Sequence, residues 1–180
     1  MIRAGTNGST PSCINFDNDD EYIELDWSLP RGYTSWNQEG RTMISHIYVS
    51  FNNSFITSIQ FRYLENGALV LSEKFGPSEG HSLRTVRLNE DEFVTGLSGA
   101  QGRCGGIRNL TFHTNRRKDG PIGHDGMDAS LTKIEIDPAI SDRREFGGFF
   151  GSYRTECLSG IGIYVNPITS SDRVEKRENM

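Results

Sequence analysis

The feature that most constrains this chain is a hydrophobic period of two. From about residue 44 onward, apolar side chains recur at alternate positions. Ile47, Val49 and Phe51 flank Tyr48 and Ser50, and Ile59, Phe61 and Tyr63 alternate with Gln60 and Arg62. Val86 and Leu88 follow, and Phe93–Val94 leads to Leu97. Leu110 and Phe112 alternate with Asn109, Thr111 and His113; Ile134 and Ile136 with Lys133 and Glu135; Ile161, Ile163 and Val165 with Gly162 and Tyr164. Successive strand side chains point to opposite faces, so each run offers one face to a core and one to solvent. No segment carries a sustained helical stripe. Short strands at close spacing with no helices between them predict an all-β sandwich, barrel or prism.

Turn chemistry punctuates the runs. Asn66-Gly67 accepts the positive φ of a tight hairpin, and Gly76-Pro77, Lys118-Asp119-Gly120-Pro121 and the Gly102, Gly105, Gly106 cluster mark further loops. The chain of 180 residues is read as one domain over residues 1–166, followed by a flexible charged tail or linker remnant at 167–180. An acidic, then aromatic segment at about 17–41, holding Trp27, Tyr33 and Trp36, reads as an insertion packed on the body. The aromatic trio suits anchoring better than a sugar-stacking platform, because Pro30 and Gly32 suggest a loop folding back on itself.

Composition narrows the function classes. A net charge of −5 argues against nucleic-acid binding, which needs a basic surface. Cys13, Cys104 and Cys157 form neither a disulfide framework nor a zinc pattern, and the four histidines have no ligand spacing. Asp17, Asp19 and Glu21 begin like a calcium loop, but Tyr22 and Ser28 stand where Gly and Glu are required. Glycines 96, 99, 102, 105 and 106 lack the Gly-Lys-Ser/Thr ending of a phosphate cradle and read as loop glycines. Neither paired carboxylates nor a catalytic triad is legible, so an enzyme is not expected, and neither is a cofactor or metal. The start of the chain lacks the apolar stretch of a signal peptide, and no segment is long enough to span a bilayer, which favours a cytoplasmic chain or a fragment of a larger protein. The sequons at Asn7, Asn52 and Asn109 are read as chance occurrences.

Three stretches carry a family resemblance. Ile56-Thr57-Ser58-Ile59-Gln60-Phe61-Arg62-Tyr63 resembles the "I-x-S-I-x-F-x-Y" strand of jacalin-related lectins. Leu110-Thr111-Phe112-His113-Thr114-Asn115, followed by Gly120-Pro121-Ile122-Gly123, is similar to their "L-x-F-x-T-N" strand and "G-P-Y-G" loop. Phe146-Gly147-Gly148-Phe149-Phe150-Gly151 and Leu158-Ser159-Gly160-Ile161-Gly162-Ile163-Tyr164 resemble the closing "G-F-x-G … L-D-A-I-G-V-Y". Glu92 to Gly99 lies between the first two, and Gly5-Thr6-Asn7-Gly8-Ser9 looks like a degraded Gly-Gly-Asn-Gly-Gly loop. The resemblance implies a β-prism of three four-stranded antiparallel Greek-key sheets, with the first strand pairing the last. It also implies metal-free sugar binding at one end of the prism.

The family's closing loop reads G-x-x-x-D, and its carboxylate accepts from two sugar hydroxyls. The matching positions here are Thr155, Glu156, Cys157, Leu158 and Ser159, so both defining residues are changed. A neutral hydroxyl does not replace a two-fold charged acceptor. The loss costs about tenfold or more in affinity, taking ~1.5–3 kcal/mol for a charge-assisted bond against ~0.5–1.5 for a neutral one. The backbone N–H groups of Glu156, Cys157 and Ser9 remain as candidate donors, with Gly8 beside them. Two readings stay open. Either the fold persists without the family's site, or the site is rebuilt for an anionic or complex glycan. In the second, Arg154 joins Arg116, Arg117 and Lys118 in one basic cluster, since arginine forks suit sulfate, phosphate or carboxylate; the alternative for those three is a solvated loop. The implied partner is a glycan or glycoprotein, with weak homo-oligomerisation. The competing class is a structural or protein-interaction domain appended to a larger, for instance catalytic, protein.

Overall fold

The computed structural model describes residues 2–5, 32–77, 80–124, 126 and 130–167. Among them are twelve strands and no helix. The first sheet joins β1 (Ile2–Gly5), β12 (Leu158–Val165), β11 (Phe146–Tyr153) and β2 (Thr34–Glu39) in the order β1-β12-β11-β2. The second has the order β5-β4-β3-β6, with β3 at Ile44–Phe51, β4 at Ile56–Glu65, β5 at Ala68–Leu71 and β6 at Ser82–Arg87. The third has the order β10-β7-β8-β9, with β7 at Val94–Gln101, β8 at Ile107–Thr114, β9 at Lys118–Gly123 and β10 at Thr132–Ile136. All pairings are antiparallel, and β1 closes on β12 with Gly5 opposite Gly162. This is the all-β prism of three four-stranded sheets that the family resemblance implies.

The apolar residues of the alternating runs form a shared interior. Phe61 of β4, Phe112 of β8 and Phe149 of β11 bring one ring from each sheet to the axis: Phe149 stacks on Phe61 at 4.9 Å and meets Phe112 edge-on at 6.3 Å. All three are fully buried, and offset or edge-to-face geometry adds to their area burial. The hairpins β3–β4, β7–β8 and β11–β12 form the centre of the three sheets. Each carries a bulge near the same end, which leaves Thr57, Arg108 and Ser159 as the extra, unpaired residues, equally spaced along the chain.

Several expectations need correction. Within the proposed 17–41 insertion, Thr34–Glu39 is β2, an integral strand of the first sheet paired to β11. Its Trp36 is a core residue stacked on Phe75 at 4.7 Å; Trp27 lies outside the described residues. Lys118–Gly123 is a strand, not a loop, and β9 accommodates Pro121 because it is a sheet edge. Gly96 and Gly99 lie within β7. A Cβ on Gly99 would lie 2.2 Å from the Asn109 carbonyl oxygen, so close strand approach explains that glycine. The Asn66-Gly67 turn is as expected, with φ of 49° and 79°.

Candidate functional site

Antiparallel hairpins place successive loops at alternate ends of a sheet. The connections 52–55, 102–106 and 154–157, one from each central hairpin, converge at one end of the prism. Gln101 Nε2 donates to the carbonyl oxygens of Gly105 (3.0 Å) and Ser159 (2.8 Å), tying the third sheet to the first. A Cβ on Gly106 would meet the Phe55 ring at 2.6 Å and Cys157 Sγ at 3.0 Å. Only a glycine there lets the three loops close on one another. Thr34 pairs with Tyr153, so the chain preceding β2 enters at this same end and brings Tyr33 with it.

The 154–157 turn closes with the Arg154 amide donating to the Cys157 carbonyl at 3.0 Å. Thr155 and Glu156 stand exposed at its tip, and neither is engaged by a hydrogen bond among the described residues. Arg154 Nε donates to Cys157 Sγ at 3.4 Å. That bond, foremost, holds the guanidinium above its ordinary value against the opposing effect of burial, with Coulombic help from Cys157, Tyr33 and Cys104. The tip therefore offers two amide donors, one carboxylate and one partly covered guanidinium. Such a set suits vicinal hydroxyls beside an anionic group.

The sequence-predicted residues divide sharply. Arg154, Thr155 and Glu156 share the loop end. Cys157 is fully buried, so it presents no accessible thiol; among the described residues the exposed thiol is Cys104, in the neighbouring loop. Ser159 is also fully buried and does not line the site. It is the bulged residue of β12, and its Oγ shares a hydrogen bond with Ser152 Oγ at 3.1 Å. Gly8 and Ser9 lie outside the described residues. Arg116, Arg117 and Lys118 do not join Arg154. They follow β8, which carries the chain about 23 Å from the loop end at ~3.3 Å per residue. There Arg116 pairs with Asp91, and Arg117 pairs with buried Glu92 at 3.2 Å and donates to the Arg87 carbonyl. The predicted four-member basic cluster is thus not assembled, and Arg116 and Arg117 have structural partners.

The sequence reading missed Arg103, Phe55 and Arg108 at the loop end. Arg108 lies over the Phe55 ring, 5.4 Å from its centroid. Their signal is positional only: they flank the connections of the two other central hairpins. Among the described residues no group of three or more His, Cys, Asp or Glu side chains is placed to hold a metal, and no helix is long and apolar enough to cross a membrane.

Comparison with known proteins agrees with this architecture. The Jacalin-like lectin domain profile matches residues 26–164. Jacalin-related lectin 24 of Arabidopsis thaliana is 52% identical over 139 residues, covering 74% of this chain and 62% of that protein. Jacalin-related lectin 25 of the same plant is 44% identical over 179 residues, covering 80% and 57%. The chain therefore spans about three-fifths of the length of these relatives. Among solved structures, artocarpin in complex with mannotriose superposes with a TM-score of 0.61 at 25% identity, covering 76% of this chain and 92% of that one. The prism, its strand order and these matches place the chain in the jacalin-like lectin domain family.

Proposed function

We propose that this chain is a carbohydrate-binding module whose site is rebuilt relative to the family's pattern and lies on the surface formed by loops 52–55, 102–106 and 154–157. The observation that carries this reading is the exposed, unengaged tip Thr155–Glu156 beside Arg154. It retains the amide donors of a sugar-binding loop. It also supplies, in Glu156, a carboxylate to replace the acceptor absent at Ser159. Family membership and the mannotriose bound by artocarpin support the ligand class. The finer reading is a glycan with a carboxylate or sulfate group, which Arg154 pairs while Glu156 accepts from hydroxyls. The glycan is carried on a glycoprotein, and weak self-association raises the affinity of each weak site through multivalency. One observation favours a second reading, a prism that serves protein interaction without sugar: the position of the family's carboxylate is sealed into the frame at Ser159.

A glycan array followed by titration calorimetry at low and moderate salt tests these readings. Saturable binding of an acidic glycan, weakened about tenfold by Arg154→Gln and by added salt, is expected. Neutral glycans bound equally well, with Arg154→Gln silent, would remove the anionic preference. No binding to any glycan would leave the interaction-domain reading.

A further inference from the structure

The outer face of the second sheet carries a groove of about 560 Å³, which runs from Arg62 to Ser50, Ser58 and Ser82 near the 52–55 connection and includes no residue of the 154–157 loop. Leu69 and Leu71 of β5 form one wall and Leu83 of β6 the other. Their exposures are 51%, 56% and 65%. Leu64, paired with Leu69, extends the same face, whereas Val70, paired with Tyr63, turns to the other. Apolar exposure concentrated on one face, rather than scattered singly, marks a binding surface.

The floor between those walls is polar and cationic. Tyr48 presents a hydroxyl above buried Ser58, and Arg62 lines the same groove. Among the described residues no carboxylate lines the groove, although acidic residues outnumber basic ones, 24 to 19, over the whole chain; Glu79, next to the lining residue Gly80, lies outside the described residues. No ion pair engages Arg62 among the described residues. Arg87 extends the positive field from the neighbouring strand, where it pairs in register with His46. His46 reports that field: burial first, then Arg62 and Arg87, hold its imidazole below the ordinary value. The groove volume falls in the range of small-molecule sites rather than protein interfaces. Apolar walls around a cationic floor complement a ligand that is apolar along its length and anionic at one end.

We propose that this groove is a second ligand site, for a small soluble amphipathic anion such as a medium-chain carboxylate. The apolar body lies between Leu71 and Leu83, and the anionic head meets Arg62 and the Tyr48 hydroxyl. Its lining shares no residue with the 154–157 loop, so the site does not need a glycan there.

The test is fluorescence titration of the full chain with 8-anilinonaphthalene-1-sulfonate, with displacement by decanoate, decanol and decyltrimethylammonium. We expect saturable one-to-one binding, displaced by decanoate well ahead of the other two. Arg62→Gln should weaken decanoate about tenfold, and Leu71→Asp should abolish the signal. Both side chains face outward, and an unchanged thermal unfolding midpoint confirms that the variants fold. Preference for the cationic amphiphile, indifference to both substitutions, or no saturable binding would overturn the proposal. So would sedimentation showing that a second copy of the chain buries this face. Glu156→Gln leaves the titration unchanged, which separates failure here from failure of the loop site.

Discussion

Arg116 and Arg117 are adjacent in sequence and identical in chemistry, yet the structure gives them very different energetic roles. Arg117 sits 3.2 Å from the carboxylate of Glu92, whose side chain has no exposure. Asp119 lies at 3.8 Å from the same guanidinium, and the Arg87 carbonyl accepts from it. Glu92 keeps bonds from Thr114 Oγ1 (2.8 Å) and from the amide and side chain of Asn89 (3.3 and 3.2 Å). Replacing Arg117 with Gln thus strands a hydrogen-bonded carboxylate with its charge uncompensated. Breaking a fully buried pair costs ~3–5 kcal/mol. The guanidinium here is 41% exposed, so water screens part of that, and we expect about 1.5–3 kcal/mol. Arg116 pairs with Asp91 where both side chains are more than half exposed, and Arg116→Gln should cost ~0–1 kcal/mol. In urea denaturation monitored by intrinsic fluorescence, Arg117→Gln should lower the midpoint clearly and Arg116→Gln hardly at all. Neither should change glycan affinity. Equal effects within ~0.5 kcal/mol, or a tenfold glycan loss at unchanged stability, would refute the argument that these residues brace the far end of the prism.

The other predictions follow from the same accounting of what is buried. Ser159→Asp places a carboxylate at a fully buried position and should destabilise by about 2–4 kcal/mol, read by thermal unfolding, rather than restore mannose binding as the family's sequence pattern suggests. Phe149→Ala removes the ring shared by all three sheets and should cost ~3–5 kcal/mol in denaturant titration. His46 and His113 both have lowered folded-state values, chiefly through burial, from the ordinary 6.5. The unfolded chain therefore binds more protons as pH falls through about 6.5, so these groups contribute a loss of stability below that pH and none well above it. Thermal unfolding should show a midpoint drop between pH 7.5 and 5.5 that shrinks in a His46→Gln/His113→Gln variant.

The central strands β3, β4, β8 and β12 were legible because apolar side chains recur at alternate positions in their sequence. The edges were not. In β2 only Trp36 is buried, so a strand of the first sheet read as an aromatic excursion. In β5 all four residues are exposed, and a run without a buried face has no period to detect. In β9 the Gly-Pro pair read as a loop because a sheet edge tolerates residues that a central strand does not. That Arg154, Thr155 and Glu156 share one loop end was legible, because the closing hairpin is local. Placing Arg116 to Lys118 beside Arg154 failed for a topological reason open to sequence reasoning. The 102–106 and 115–117 connections are consecutive in an antiparallel sheet, so they occupy opposite ends. Ser159 was misplaced for a subtler cause: a bulge shifts the register by one residue, and no composition signal marks it.

On the proposed reading, those bulges explain how a rebuilt site is compatible with the fold. Thr57, Arg108 and Ser159 end regular pairing in the three central hairpins at nearly the same height. On the core side, the ladders and Phe61, Phe112 and Phe149 specify the prism. On the loop side, 52–55, 102–106 and 154–157 contribute little to it beyond the Gln101 bonds and the Gly106 contact. Ser159 belongs to the frame, since its hydroxyl serves Ser152 and its carbonyl serves Gln101. A ligand acceptor must then come from beyond the bulge. Glu156 is the carboxylate on the closing loop that meets this condition, so Glu156→Gln should reduce glycan affinity while leaving the unfolding midpoint unchanged.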